Sequence, residues 1–165
     1  MKPIQTTKIT SLEALGDIHD TLGKIVCTSG GFDPIHPGHL SCIRDSKQFG
    51  DTLVVIVNGD GFLTRKKGKP FMDLLTRMQI VSFIHEVDYV VPFDIENDQT
   101  VIEALRALKP HVFTKGGDRI DARTIPEWDI CTALGIDIRT GIGYDKAWSS
   151  SDFLKEWVAF HTQQQ

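Results

Sequence analysis

The sequence has little of what marks disulfide-stapled, zinc-binding or membrane-spanning proteins. It contains three cysteines, Cys27, Cys42 and Cys131. Their odd number and wide spacing fit neither a disulfide framework nor a zinc site. No segment approaches the roughly 20 apolar residues of a membrane span, and residues 1–11 lack the apolar run of a signal peptide. We therefore expect a cytoplasmic protein with reduced thiols and no membrane partner.

Charge and composition narrow the class further. The formal net charge is -4, with 41% hydrophobic and 24% charged residues, as in ordinary soluble domains. This balance argues against a nucleic-acid partner, because phosphate backbones require a basic face. A local basic pocket for a small anion remains compatible with it. With neither an internal repeat nor a low-complexity linker, residues 1–165 are expected to form a single domain.

Short apolar runs alternate with amphipathic stretches along the chain. The pattern predicts buried strands over 24–29, 52–58, 89–93, 112–115 and 137–140. It predicts helices over 11–22, 39–49, 74–85, about 98–108, 126–134 and 149–160, and a polar, basic loop over 59–70. Such alternation indicates an α/β domain of Rossmann-like type, with a five-stranded, mainly parallel sheet flanked by helices. Ligands of these sheets bind beyond the carboxyl ends of the strands, so the candidate site lies in the loops there.

The loop after the first predicted strand joins two glycines to a pair of histidines. It reads Gly30-Gly31-Phe32-Asp33-Pro34-Ile35-His36-Pro37-Gly38-His39. The glycines let the backbone approach a ligand closely, and the start of a helix presents free N–H groups that suit phosphate. Imidazoles placed there can donate hydrogen bonds to charge that builds on phosphate oxygens in a transition state. The alternatives are a Gly/Pro turn with incidental histidines, or part of a metal site, although no third ligand stands nearby in the sequence.

This loop resembles the H-x-G-H signature of the nucleotidyltransferase (cytidylyltransferase-like) superfamily. The resemblance implies transfer of a nucleoside monophosphate from a nucleoside triphosphate to a small phosphorylated acceptor, with release of pyrophosphate. It gives His36 and His39 the catalytic role of stabilising the pentacoordinate α-phosphate. Further nucleotide contacts are then expected from Gly30, Gly31, Phe32, Asp33 and Gly38.

The segment after the second strand carries four basic residues in five positions: Arg65, Lys66, Lys67 and Lys69. It is similar to the N-S-D…K-G segment of family members that act on sugar phosphates and glycerol phosphate. Asp60 matches the aspartate and Lys67-Gly68 the Lys-Gly pair, whereas Gly59 replaces the serine. The similarity implies a catalytic lysine, assigned to Lys67, with Asp60 and Lys66 contacting the acceptor. Which of the two lysines reaches phosphate stays open, and a solvated basic loop is the alternative.

Arg77 matches an arginine of the family's helix that precedes a V-D-x-V-V segment, here residues 87–91. The match implies a contact with the acceptor, and a structural salt bridge is the alternative. Asp94 and Glu96 follow the third strand and either line the acceptor pocket or cap the next helix.

Two more strand ends carry family-like motifs. Lys115-Gly116-Gly117-Asp118 resembles the K-G-G-D of the adenylyltransferase half of bifunctional heptose enzymes, which implies nucleotide contacts; a plain Gly-Gly turn is the alternative. The run Ser149-Ser150-Ser151 resembles the family's serine/threonine motif that holds the β- and γ-phosphates, besides being an ordinary helix cap. The arginine that many relatives carry just before this motif is missing here.

The resemblance extends from about Ile9 to Lys155 and is greatest to the D-glycero-β-D-manno-heptose 1-phosphate adenylyltransferase type. It implies AMP transfer from ATP to a sugar 1-phosphate, Mg²⁺ brought in with the triphosphate instead of a protein-bound metal, and a homodimer. Two alternatives stay open. One is a cytidylyltransferase for an alcohol phosphate such as glycerol 3-phosphate, and the other is an inactive nucleotide-binding regulatory module. Whichever of these functions the chain has, His36 and Ser149 are expected to reach one cleft.

Overall fold

A single parallel sheet forms the centre of the computed structural model, which describes residues 6–117, 119–145 and 147–163. Its strands are β1 (Ile25–Gly30), β2 (Thr52–Asn58), β3 (Tyr89–Phe93), β4 (Val112–Gly116) and β5 (Asp137–Ile142). The order across the sheet is β3-β2-β1-β4-β5, and every neighbouring pair is parallel. The predicted five-stranded Rossmann-like α/β fold is therefore confirmed.

The chain builds the sheet in two directions from β1. It proceeds outward through β2 and β3, then crosses back to place β4 on the other side of β1 and β5 beyond it. The loops after β1 and β4 therefore diverge at the point where strand order reverses, which is where such sheets bind ligands.

Helices cover both faces of the sheet. They are α1 (Leu12–Asp17), α2 (Pro37–Ser46), α3 (Asp60–Lys67), α4 (Leu74–Ser82), α5 (Ile102–Leu108), α6 (Trp128–Leu134) and α7 (Ser150–Thr162). The predicted caps at Ser11 and Asp73 are confirmed, since their side chains accept the N–H groups of Ala14 and Thr76. Along the described ranges, no helix has the length and apolar character needed to cross a membrane.

Successive side chains of a strand point to opposite faces of the sheet, so the core forms two apolar layers. Ile25 and Cys27 of β1 face a layer shared with α1, α5 and α6. Val26, between them, faces the opposite layer, to which α2 contributes Ile43 and α4 contributes Val81. Each strand of the centre is thus buried on both faces, which explains its continuous apolar sequence.

The predicted loop over 59–70 is wrong over most of its length, because residues 60–67 form α3. Tertiary contacts stabilise this short helix. Phe62 and Leu63 are buried, and the Asp94 carboxylate accepts the N–H of Phe62 at 3.1 Å. The three basic residues lie in the last turn, where the helix dipole favours cations, and Gly68 ends the helix with a φ of 89°. The first helix is also shorter than predicted, since α1 ends at Asp17 and a 3₁₀ turn follows.

Arg77 fastens three segments together from inside the protein. Its side chain is 0% exposed, and its Nη1 donates to the carbonyl oxygens of Gly31 at 2.9 Å and Asn58 at 2.6 Å. Its Nε donates to the carbonyl of Met72 at 3.0 Å, and its Nη2 to the Asp60 carboxylate at 2.6 Å. The loop after β1, the end of β2 and the segment before α4 are therefore held by one guanidinium.

Replacement of Arg77 by methionine tests this role. The variant keeps much of the side-chain volume but leaves several buried carbonyl oxygens without a donor, each at about 1–3 kcal/mol. We expect the free energy of unfolding, measured by urea titration, to fall by at least about 3 kcal/mol. Arg106→Met is the matched control, because Arg106 forms an exposed pair with Glu103 and should change stability by less than about 1 kcal/mol. Equal stability of the two variants would contradict the assignment.

Candidate active site

A cavity of about 390 Å³ opens at the carboxyl edge of the sheet. Segments that follow all five strands contribute to its wall, as predicted from the parallel topology. His36 and Ser149 both line it, so the prediction that they reach one cleft is confirmed.

The two histidines are stacked at the start of α2. His36 is the N-cap residue, and its Nδ1 accepts the backbone N–H of His39 at 3.4 Å. The ring centroids are 3.7 Å apart, with 19° between the planes. Because Nδ1 of His36 acts as an acceptor, the proton of the neutral ring lies on Nε2. That tautomer gives the site an N–H donor of the kind that binds phosphate oxygens.

Burial keeps both rings neutral. Desolvation, followed by the proximity of His36, lowers the pKa of His39 to about 3. Partial burial also lowers the pKa of His36 below its ordinary value. Phe32 packs its ring against His39 with centroids 5.1 Å apart, and Nδ1 of His39 is buried without a hydrogen-bond partner among the described residues. The pair therefore offers hydrogen bonds without full positive charge near pH 7.

Cations gather around the cavity although the chain is acidic overall. Lys66, Lys115 and Arg119 all line it. Desolvation lowers the pKa of Lys66, and the charges of Arg119 and Lys67 lower it further. Burial likewise lowers the pKa of Lys115, with Arg119 acting in the same direction and Glu127 opposing both. Positive groups that destabilise one another in the free protein are stabilised by an anionic ligand.

Lys115 lies deepest among these cations. Its Nζ donates to Ser29 Oγ at 3.0 Å, lies 3.6 Å from Glu127 Oε2, and stands 4.6 Å from the centre of the Phe113 ring. Such a combination of ion pair, hydrogen bond and cation–π contact holds a buried ammonium in one position.

Lys66 and Lys67, between which the sequence does not choose, have different surroundings in the structure. Nζ of Lys67 donates to the Asp33 carbonyl at 2.8 Å and lies 2.5 Å from its carboxylate. Asp33 is itself 2% exposed and accepts the N–H groups of Phe71 and Met72, both at 2.8 Å. This pair fastens the histidine loop to the segment after α3, behind the cavity wall. Lys66, one residue earlier, lines the cavity.

The other predicted contacts divide in the same way. Asp60 and Arg77 do not line the cavity and are bonded to each other at 2.6 Å, whereas most predicted nucleotide contacts line it. Those lining it are Gly30, Gly31, Phe32, Gly38, Lys115, Gly116, Gly117, Ser149, Ser150 and Ser151. Asp118, predicted with them, lies outside the described residues.

The start of α7 is joined to the histidine loop. Ser149 caps the helix by accepting the N–H of Asp152 at 3.4 Å, and Ser150 Oγ donates to the Pro34 carbonyl at 2.8 Å. The Phe153 ring meets His36 edge-on, with centroids 6.1 Å apart. The amino ends of α2 and α7 therefore meet in one cavity, and both present N–H groups suited to phosphate.

Two glycines permit the close approach of β4 and β5 to α2. A Cβ at Gly116 would lie 2.8 Å from the Ile142 carbonyl oxygen, and one at Gly143 would lie 2.6 Å from the backbone nitrogen of Cys42. Gly143 also has a φ of 88°, which side chains other than glycine rarely adopt.

Several residues of the wall were not assigned from the sequence. They are Ser29, Asn58, Gln99, Thr100, Arg119, Glu127, Tyr144 and Trp148. The strand-end rule identifies Ser29 and Asn58 once strand bounds are known, because each lies at or beside the end of a central strand. Glu127 gave no signal, since a glutamate just before a helix is ordinary.

The matched family is consistent with this geometry. The family model described as cytidylyltransferase-like matches residues 27–136, which include most of β1, all of β2 to β4 and the histidine loop. The chain belongs to the cytidylyltransferase-like family. Its predicted class, nucleotidyltransferase, is thereby confirmed.

Curated relatives carry the name bifunctional protein HldE, which confirms the resemblance to the heptose type. That of Methylococcus capsulatus is 38% identical over 118 residues, covering 70% of this chain and 24% of the relative. That of Aeromonas salmonicida is 35% identical over 134 residues, covering 80% and 27%. The chain therefore spans about a quarter of the length of these relatives.

Solved structures share the fold. The lipopolysaccharide core biosynthesis protein of Thermoplasma volcanium has a TM-score of 0.63 and 29% identity, covering 74% of this chain and 99% of its own. Pantoate-beta-alanine ligase of Francisella tularensis also has a TM-score of 0.63, covering 90% and 73%. At 17% identity, the second shows likeness of fold alone.

The buried, neutral state of His39 predicts how stability depends on pH. Its pKa is about 3 in the folded protein, against 6.5 as the ordinary value, so the unfolded chain binds the extra proton between these limits. The resulting stability is complete above pH 6.5 and is lost as the pH falls towards 3. In His39→Asn, the slope of unfolding free energy against pH should be smaller by up to about 1.4 kcal/mol per unit.

Urea titrations of the ligand-free protein between pH 7 and pH 4 measure this slope. His85→Asn is the matched control, because it makes the same replacement at an exposed position. Parallel curves for the wild type and His39→Asn would show that His39 does not titrate as its burial requires.

Proposed function

We propose that this chain transfers AMP from ATP to a sugar 1-phosphate of the D-glycero-β-D-manno-heptose type and releases pyrophosphate. The observation that carries the proposal is the meeting of two helix amino ends, each with its polar cap, in one cationic cavity. The start of α2 brings His36 and His39, and the start of α7 brings the serines. The HldE relatives and the Lys115-Gly116-Gly117 segment at the end of β4 support the choice of ATP and a sugar phosphate.

The proposed reaction is a direct in-line displacement. An oxygen of the acceptor phosphate attacks the α-phosphorus, the bond to the β-phosphate oxygen breaks, and pyrophosphate leaves with the electron pair. No covalent enzyme intermediate forms, because a phosphate oxygen is already a competent nucleophile. The enzyme supplies alignment and charge stabilisation.

The cavity residues divide these tasks between them. Neutral His36 and His39 donate to the non-bridging oxygens of the α-phosphate. The hydroxyl and N–H groups at residues 149–151 hold the β- and γ-phosphates. Lys66 makes the phosphate contact that the sequence assigned to Lys67. The charge of Arg119 acts on Lys66. Lys67, Asp33, Asp60 and Arg77 position the loops from behind.

Mg²⁺ enters with the triphosphate in this proposal. Within the described ranges, no group of three or more His, Cys, Asp or Glu side chains is placed to hold a metal ion. The cavity does present single oxygen donors, in the Asp145 carboxylate and the serine hydroxyls. Mg²⁺ retains several waters and prefers phosphate oxygens, so these groups suit an ion carried by the nucleotide. When bound, it would neutralise charge on the triphosphate.

The expected homodimer belongs to the same proposal and rests on family resemblance. Phe83, at the end of α4, is 63% exposed, whereas Ile84 packs against the core. Phe83 is thus the one of these two side chains that a second copy would cover.

A matrix of nucleotides and acceptors tests the function. The protein is incubated with ATP, CTP, GTP or UTP, each with heptose 1-phosphate or glycerol 3-phosphate, and pyrophosphate is measured while mass spectrometry identifies the product. We expect release only when ATP and the sugar phosphate are present together. CTP with glycerol 3-phosphate as the productive pair would replace the proposal by the cytidylyltransferase. Nucleotide binding without release for any acceptor would favour the regulatory module.

Replacement of His39 by alanine removes one donor to the charge that develops on the α-phosphate. Turnover should fall by about 10²-fold or more, with a smaller loss of ATP affinity. Steady-state kinetics and ATP titration by calorimetry measure the two effects. His85→Ala, at an exposed position, serves as the control. Near-normal turnover of His39→Ala would sink the role given to His39.

The adjacent lysines should respond in opposite ways. Lys66→Met should lower turnover by about tenfold or more, since one charge-assisted contact to phosphate is lost, while the free energy of unfolding stays within about 0.5 kcal/mol. Lys67→Met leaves the buried Asp33 carboxylate without its cation and should lower stability by on the order of 3 kcal/mol. Urea titration and steady-state kinetics of both variants decide the matter. A stable but inactive Lys67→Met protein would restore the original assignment.

A further inference from the structure

Two buried oxygens in the cavity wall have no hydrogen-bond donor among the described residues. They are Oδ1 of Asn58 and Oε2 of Glu127. The residues are 8% and 4% exposed, and both line the cavity. Buried polar atoms are nearly always hydrogen-bonded, because leaving them unpaired is unfavourable. Oxygens in this state beside a cavity can accept a donor from a ligand, and for Glu127 Oε2 that donor would add to the Lys115 ammonium 3.6 Å away.

Asn58 and Glu127 each contact the β2–β3 side of the cavity wall. Asn58 is the last residue of β2. The other carboxylate oxygen of Glu127 accepts the N–H of Val101 at 3.2 Å, and Val101 is the N-cap of α5, which follows β3. The helix amino ends proposed to hold the nucleotide phosphates follow β1 and β5 instead. In the order β3-β2-β1-β4-β5, Asn58 therefore borders the side left for the acceptor, and Glu127, beside Lys115 of β4, reaches that side through its bond to Val101.

The surroundings restrict the chemistry of the missing donor. Lys115 Nζ stands 3.6 Å from Glu127 Oε2, and Lys66 and Arg119 line the same cavity, so a cationic ligand group would be repelled. A neutral hydroxyl satisfies a carboxylate oxygen without adding charge, and it can both donate to and accept from the Asn58 amide. The terminal torsions of Asn and Glu are soft, so a small rotation presents either oxygen to the cavity.

We infer that Asn58 and Glu127 form a hydroxyl-recognition subsite that selects polyhydroxylated phosphate esters as acceptors. The cations bind the phosphate of such a molecule, and the two oxygens accept hydrogen bonds from its sugar hydroxyls. This inference rests on the proposed function and adds the feature of the acceptor that the enzyme recognises. Sites that hydrogen-bond a hydroxyl strongly reject analogues lacking it, because the buried partner is left unpaired.

Glu127→Gln tests the inference while keeping the shape of the side chain. Heptose 1-phosphate and its singly deoxygenated analogues serve as acceptors at saturating ATP. For the variant, the KM of the parent acceptor should rise by about tenfold or more, while the KM of ATP stays within about twofold. With the wild type, the KM of one deoxy analogue should exceed that of the parent acceptor by about the same factor. With Glu127→Gln, the KM of that analogue should rise no further. Glu103→Gln, at an exposed glutamate, is the matched control and should leave each value unchanged.

Two results would overturn the inference. One is a loss of ATP affinity with the acceptor KM unchanged, which would move Glu127 to the nucleotide. The other is a set of deoxygenation penalties that are the same in the wild type and the variant. Thermal unfolding checks that Glu127→Gln is folded. If it is not, Asn58→Leu, which removes the amide at similar volume, is the deciding variant and is judged by the same two criteria.

Failure of the proposed function is recognised separately. A wild-type protein that releases no pyrophosphate with any nucleotide and acceptor has lost the proposed function. The subsite is then judged by calorimetric titration of heptose 1-phosphate in the presence of a non-hydrolysable ATP analogue. Binding to the wild type that weakens about tenfold in Glu127→Gln supports the subsite, and equal or undetectable binding to both proteins overturns it.

Discussion

The guanidinium of Arg77 is the contact on which the geometry of the cavity depends. It lies fully buried and binds the carbonyls of Gly31 and Asn58, so it fixes the loop after β1 relative to the end of β2. A planar fork with five donors can serve several acceptors at once, which an ammonium group cannot do in the same plane. The bond to Asp60 extends this control to the start of α3, and hence to the helix that carries Lys66.

Basic residues of one short helix divide into structural and cavity-facing roles. Arg65 binds Asp94 at 2.8 Å and Lys67 binds Asp33, whereas Lys66 lines the cavity. Successive residues of a helix point about 100° apart, and here Lys67 contacts Asp33 while Lys66 lines the cavity. Asp94 and Asp33 thus pair with cations that stabilise the loops. Lys66, Lys115 and Arg119 are placed where an anion binds.

The sheet and the histidine loop were predictable from the sequence because their signals are local. Continuous apolar runs specify the central strands, and the Gly-Gly…His-Pro-Gly-His segment combines a turn with a helix start. By contrast, α3 has only two buried apolar residues and depends on Asp94, which arrives from the end of β3. The partners of Lys67, Arg77 and Glu127 come from distant segments of the chain. No spacing within the sequence encodes them.

Neutral histidines can serve the proposed reaction without carrying the charge that attracts the substrate. A cationic imidazole attracts the triphosphate in its ground state as well as in the transition state, and such uniform binding does not accelerate the chemical step. A neutral N–H donor still stabilises the charge that builds on the equatorial oxygens of the α-phosphate. Burial, followed by the proximity of the stacked His36, lowers the pKa of His39 to about 3, so the pair adds hydrogen bonds to the site and little charge. The surrounding cations supply the attraction for the substrate that the neutral pair forgoes.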